Sequence, residues 1–160
     1  MAFLRRRTPG PVLRAERIML RPPEMDDFIA WAALRRDSED FLKPWEPLWA
    51  RDHLTSRAFR ERVYWAARAI AENRAYPLFI FREGDGALLG AITLDNLRRG
   101  PAMAATVGYW IGARHARQGY MREALEAVRD YVFRDLDLSR LEAACLPENE
   151  ASRALLERSG

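Results

Sequence analysis

The residues of this 160-residue chain best placed to do chemistry sit in a basic, glycine-centred turn between an apolar run and an amphipathic helix. The run is Thr106-Val107-Gly108-Tyr109-Trp110-Ile111, and the turn is Arg114-His115-Ala116-Arg117-Gln118-Gly119-Tyr120-Met121. From Met121 onward, apolar side chains recur at Ala124, Leu125, Val128, Tyr131 and Val132, one face of a helix that begins near Gly119. The first turn of such a helix has N–H groups without intrahelical partners and the positive end of the macrodipole, so it can hold a phosphate. Gly119 lets that backbone approach a ligand closely. Arg114, Arg117 and Arg122 add positive charge in forks that match phosphate oxygens. The ligand these features predict is a pyrophosphate.

A second group of polar residues follows. Leu141 to Leu146 reads as a short buried strand, and Pro147 to Gly160 as a turn and a short helix with a glycine stop. Asn149 and Ser152 stand at the head of that helix, where they suit an N-cap as well as a ligand contact. Glu142 and Glu148 are carboxylates that could accept a proton, although Glu142 beside Arg140 also suits a strand-edge ion pair. His53, His115 and Cys145 show no metal-ligand spacing, so no metal is expected. Trp45 and Trp49 flank Pro47, with Pro44 just before, a pattern open to two readings: core packing, or a wall against which a peptide could lie.

These residues need elements to position them. Arg17 to Arg21 reads as a strand stopped by Pro22-Pro23, followed by a short helix carrying Phe28, Trp31, Ala32 and Leu34. The segment Phe41 to Trp49 is apolar but broken by two prolines, which predicts a structured loop. A second helix, from Leu54 or Thr55, carries Phe59, Val63, Ala66, Ala67 and Ile70 on one face. Tyr76 to Arg82 and Leu88 to Asn96 form two strands around Glu83-Gly84-Asp85-Gly86, a hairpin-compatible turn. Adding the segments already described gives the order βααβββαβα in a single α/β (α+β) domain, residues 13–160. Residues 1–12, with Arg5-Arg6-Arg7 and Pro9-Gly10-Pro11, read as a flexible basic arm.

Composition narrows the function classes. An apolar fraction of 49% with 31% charged residues is that of a globular domain, not a disordered chain. One cysteine excludes an internal disulfide, and the absence of a signal-like or membrane-spanning apolar run predicts a cytoplasmic protein with no membrane partner. The net charge of +3 rests on arginine, since Lys43 is the only lysine. With nearly as many acids as bases, and no basic surface interleaved with aromatics, direct nucleic-acid binding is not expected.

The two motif segments together resemble the acetyl-CoA site of the GCN5-related N-acetyltransferases, the GNAT family. The family's turn follows Gln/Arg-x-x-Gly-x-Gly/Ala; here the window is Ala116-Arg117-Gln118-Gly119-Tyr120-Met121, in which the glycine matches. Supporting it are the strand before, Glu123-Ala124-Leu125 after, and Asn149-x-x-Ser152-x-x-Leu155-Leu156-Glu157-x-x-Gly160 at the family's distance. Met121 and the upstream Gly108-Tyr109-Trp110-Ile111-Gly112 look most like the ribosomal-protein-alanine N-acetyltransferases of the RimJ/RimL group.

The resemblance implies a GNAT fold and direct attack of an amine on the thioester of acetyl-CoA. It implies main-chain contacts to the pantetheine from Tyr109, Trp110 and Ile111. The pyrophosphate would lie among Arg114, Arg117, Gln118, Gly119, Tyr120, Met121 and Arg122, and the pantetheine side against Asn149 and Ser152. Ser152 becomes the group that assists the leaving thiol, because Leu156 stands where many relatives carry a tyrosine, and Glu142 or Glu148 the candidate base, with a water relay as their rival. The acceptor would be a protein N-terminus lying against Trp45 and Trp49, or a small amine; a CoA-binding module without catalysis is the third alternative. Family members continue beyond the glycine matching Gly160 with two more strands, which leaves three readings: a naturally shorter protein, a partner that supplies the missing edge, or, the one favoured here, a fragment of a longer gene. The uncovered edge would favour association, for instance as a homodimer.

Overall fold

The computed structural model describes residues 8–160. Its six strands are β1 (Leu13–Arg14), β2 (Ile18–Arg21), β3 (Tyr76–Arg82), β4 (Leu88–Arg98), β5 (Ala104–Ile111) and β6 (Arg140–Ala143). They lie side by side in that order in one sheet. Neighbours from β1 to β5 are antiparallel, and β6 joins β5 in parallel. The helices are α1 (Phe28–Asp37), α2 (Glu39–Leu42), α3 (Ser56–Ala71), α4 (Tyr120–Arg134) and α5 (Glu150–Ser159).

Alternation along the strands supplies two cores, one per face of the sheet. On one face Leu78, Ile80, Leu89, Ile92, Leu94, Ala105 and Val107 meet Met121, Ala124, Leu125, Val128 and Val132 of α4, with Leu155 and Leu156 of α5 against them. On the other face Phe79, Phe81, Leu88 and Ala91 meet Trp31, Ala32 and Leu34 of α1 and Phe59 and Val63 of α3. The α3 face is close to the one its spacing predicts: Phe59, Val63, Ala66 and Ala69 are buried, with Ala67 and Ile70 at the margin. Thr55 caps that helix by accepting from the Ala58 amide at 3.2 Å.

Three expectations are corrected. The order is ββαααβββαβα: the extra β1 is two residues long, too short to show a period. Within the segment expected to be a loop, Glu39–Leu42 makes one helical turn and Lys43–Trp45 a 3-10 turn. Pro44 does not prevent this, because in the first turn of a helix its missing N–H leaves no bond unmade. Finally, β6 ends at Ala143 instead of Leu146, which shapes the site. Residues 1–7 of the expected arm lie outside the described residues; Thr8 is held against the domain by its hydroxyl, which donates to the Pro23 carbonyl at 2.8 Å.

Candidate active site

The early end of β6 opens the sheet. The β5–β6 ladder stops at Val107 opposite Ala143, while β5 continues to Ile111 with β4 on its other side throughout. Four residues, Gly108 to Ile111, therefore have a strand edge with no pairing strand among the described residues, about 13 Å at a strand's rise. The Gly112 amide donates to the Leu89 carbonyl at 2.8 Å, so the even-numbered residues turn their main-chain groups toward β4. Tyr109 and Ile111 turn theirs to the open edge. Trp110 does not: its carbonyl faces β4, where a Cβ on Gly90 would lie 2.2 Å from it, so position 90 must be glycine.

At the far end of β5 the chain turns into α4 through two residues in the left-handed region, Arg117 (φ 61°) and Gly119 (φ 83°). For arginine that conformation costs roughly 1–2 kcal/mol, the kind of strain that structures keep at ligand loops. The first main-chain bond of the helix runs from the Glu123 amide to the Gly119 carbonyl, 3.1 Å. The amides of Tyr120, Met121 and Arg122 are thus left over at the positive end of the helix. A residue the sequence did not single out braces this turn. Arg17 donates to the Gln118 carbonyl (3.0 Å), grips Glu123 through its own amide (2.6 Å) and Nε (2.9 Å), and stacks on the Tyr120 ring at 4.5 Å. By neutralising Glu123 it removes a charge that would repel a phosphate. Arg117 is exposed with no ion-pair partner among the described residues, whereas Arg122 is engaged with Glu126 and Arg114 stands 3.9 Å from Asp37. Gln118 is turned back onto the Arg114 carbonyl.

Across the open edge, Asn149 accepts from the Ser152 amide at 3.1 Å and is the N-cap of α5. This leaves the Ser152 hydroxyl free of capping duty, and it lies 2.6 Å from the Tyr109 hydroxyl. Burial pushes the Tyr109 phenol above its ordinary value, against the Ser152 hydrogen bond and with Cys145 nearby adding to the rise, so it stays protonated at neutral pH. This side-chain pair is visible only in three dimensions, since the family resemblance implies only a main-chain role for Tyr109.

Glu142 is placed elsewhere. It pairs with Thr106 on β5, on the sheet face opposite Leu141 and Tyr109, and its oxygens are taken up by Arg98 (2.6 Å) and Arg140 (2.8 Å). Glu142 and Ser152 are therefore not brought together. Glu148 is exposed in the turn before α5. The two tryptophans also part company. Trp45 keeps 42% of its surface exposed. Trp49 is fixed: its indole N–H donates to Glu46 at 2.7 Å and its ring lies under Arg35 at 4.4 Å.

The arrangement, an open strand edge running to a basic helix start with a hydroxyl pair across the gap, suits an extended amide-bearing ligand with a phosphate end. A model of the acetyltransferase (GNAT) domain matches residues 17–160. The chain belongs to the GNAT acetyltransferases. A probable N-acetyltransferase of Bacillus subtilis, YjcK, is 31% identical over 149 residues, 93% of this chain and 82% of the relative. The [ribosomal protein uS5]-alanine N-acetyltransferase of Escherichia coli is 28% identical over 156 residues, 98% of this chain and 80% of the relative. Among solved structures, Mycobacterium smegmatis RimJ in complex with CoA-disulfide superposes with a TM-score of 0.86 at 28% identity, covering 94% of this chain and 75% of that one. This acetyltransferase thus has the mixed, mostly antiparallel sheet with flanking helices that the resemblance implies, and it is an enzyme of the N-acetyltransferase class. Among the described residues no helix is long and apolar enough to cross a membrane.

Proposed function

We propose that this acetyltransferase transfers the acetyl group of acetyl-CoA to the N-terminal α-amine of a protein, in the manner of the ribosomal-protein-alanine enzymes. What carries the reading is the E. coli relative of that name, which aligns over 98% of the chain. Main-chain groups of Tyr109 and Ile111 pair with the pantetheine amides as an added strand would. The amides of Tyr120 to Arg122 and the Arg117 guanidinium hold the pyrophosphate. The Ser152 hydroxyl, backed by Tyr109, hydrogen-bonds the sulfur as negative charge develops on it. The amine nitrogen forms a bond to the carbonyl carbon, the carbon–sulfur bond breaks, and a proton from the nitrogen ends on the sulfur.

The chemistry favours an α-amine. At pH 7.5 about a third of α-amino groups are neutral, against about 0.1% of lysines, so an N-terminus needs little help from a base. The test is thiol release from acetyl-CoA with an alanine-starting peptide, the same peptide blocked at its N-terminus, and a panel of small amines, with mass spectrometry of the products. Acetylation confined to the free N-terminus supports the reading. Rapid acetylation of small amines with none of the peptide rejects it in favour of a small-molecule enzyme.

A further inference from the structure

On the sheet face away from α4, one guanidinium gathers side chains from three parts of the chain. Arg35 of α1 is only 4% exposed. It donates from Nη1 to Glu46 Oε1 (2.8 Å) and from Nη2 to Glu46 Oε2 (2.7 Å). Nη2 also lies 3.0 Å from His53 Nε2. A guanidinium can only donate, so His53 Nε2 accepts and the imidazole proton sits on Nδ1. The guanidinium carbon also stands over two indole rings, 4.4 Å from the centre of Trp49 and 4.7 Å from that of Trp110. Glu46 Oε2 accepts from Trp49 as well, and the Trp49 and His53 rings are 4.7 Å apart. Three residues of the segment 46–53 are thereby tied to α1 and to β5.

Stability alone is a poor explanation for this cluster. A buried ion pair recovers little more than its desolvation cost, and the Arg35 Nε–H is buried with no partner at all. What the cluster does achieve is geometric. Trp110 is the residue between Tyr109 and Ile111, the two whose main-chain groups face the open edge. The phosphate cradle belongs to α4, which packs on the opposite face, so a ligand held there reaches the edge from that side. An acceptor must come from the other side, where Trp110, Arg35 and the segment 46–53 stand.

We propose that Arg35 is the positioning residue for the acceptor: by clamping the segment 46–53 onto Trp110 it sets the shape of the acceptor wall at the open edge of β5 without touching the acceptor. The proposal rests on the acetyltransferase reading but on neither class of acceptor, because the wall serves whichever amine is used. Lysine at this position keeps the charge for Glu46 but loses the planar fork and the double stack, so Arg35→Lys separates charge from geometry.

The test is steady-state kinetics on the full chain with Arg35→Lys, using the alanine-starting peptide, or the amine that the wild type does acetylate if the peptide fails. An acceptor KM raised about tenfold or more, with KM for acetyl-CoA within about twofold and kcat within about threefold, supports the proposal. An unchanged acceptor KM, or both KM values rising together, overturns it; a fall in kcat alone marks a structural role and overturns it as well. Should Arg35→Lys fail to fold by circular dichroism, Trp49→Phe keeps a ring under the guanidinium and deletes only the bond to Glu46. It should raise the acceptor KM alone, by about threefold, and no rise overturns the proposal. A second readout needs no turnover. Nitrogen NMR of His53 in the wild type should show the Nδ1–H tautomer, titrating below the ordinary imidazole value, through burial first and then the charges of Arg35 and Arg62, against Glu46 and Asp52. An Nε2–H tautomer, or no change between wild type and Arg35→Lys, contradicts the clamp.

Discussion

On the proposed reading, the groups that meet the donor on the α4 side of β5 are largely main-chain amides and carbonyls: Tyr109 and Ile111 along the edge, Tyr120 to Arg122 at the helix start. On the α1 side the proposed acceptor wall is set by side chains that hold one another, Arg35 against Trp49 and Trp110 and closed by Glu46 and His53. Main-chain recognition depends on where the backbone goes and tolerates most substitutions that leave it there. A side-chain stack depends on the identity of each member and can be retuned one residue at a time. An enzyme that must keep one donor while adapting to an acceptor is well served by putting the first kind of surface toward the donor and the second toward the acceptor.

The strongest way to break the donor side is to attack its backbone. Gly119 is at φ 83°, a conformation that side chains rarely adopt. Gly119→Glu adds strain, bulk and a negative charge at the phosphate cradle, and should weaken acetyl-CoA binding by about 100-fold or more in calorimetry. Unchanged affinity would remove the pyrophosphate from this turn. Next in size, Ser152→Ala should lower kcat about 100-fold with little change in KM for acetyl-CoA, because the bond to sulfur strengthens only as the thiolate departs. If kcat survives, the hydroxyl only braces Tyr109.

The acceptor side should respond in the other constant. Trp45→Ala removes an exposed ring beside the clamped segment, and should raise the acceptor KM about five- to tenfold while leaving that for acetyl-CoA alone. The smallest effect is expected where the two sides do not meet. Glu142→Gln weakens two partly exposed ion pairs, each worth at most about 1 kcal/mol, and should change kcat less than about threefold. A loss of two orders of magnitude would restore Glu142 as the base, and would require Ser152 and Glu142 to act through opposite faces of the sheet.

The same contrast explains what the sequence made legible. The helix after Gly119 is readable because its apolar face repeats over twelve residues, and its start because a glycine stands just before the first of them. Asn149 was readable as a cap because capping is local chemistry. The Tyr109–Ser152 contact joins residues 43 positions apart, and Arg17 reaches Glu123 across 106. No spacing rule links such pairs. Arg35 was hidden differently: it lies in a helix where arginine ordinarily faces solvent, and only its burial reveals its use. Trp45 and Trp49 look alike because their sequence surroundings are alike; the bond to Glu46 and the contacts with Arg35 and His53, which only Trp49 makes, separate them.

An edge of β5 that no strand among the described residues completes would also make a small molecule part of the protein's own thermodynamics. On the proposed reading, acetyl-CoA fills a gap in the hydrogen-bonding of the sheet and is absent from the unfolded chain, so its concentration acts as a reserve of folding free energy, about 2.7 kcal/mol at a hundred times its Kd. The thermal midpoint should then climb with the logarithm of acetyl-CoA concentration and show no plateau, and Gly119→Glu should abolish that slope. In a cell the lifetime of the enzyme would rise and fall with the supply of its donor, a coupling of persistence to metabolism that requires no regulatory site.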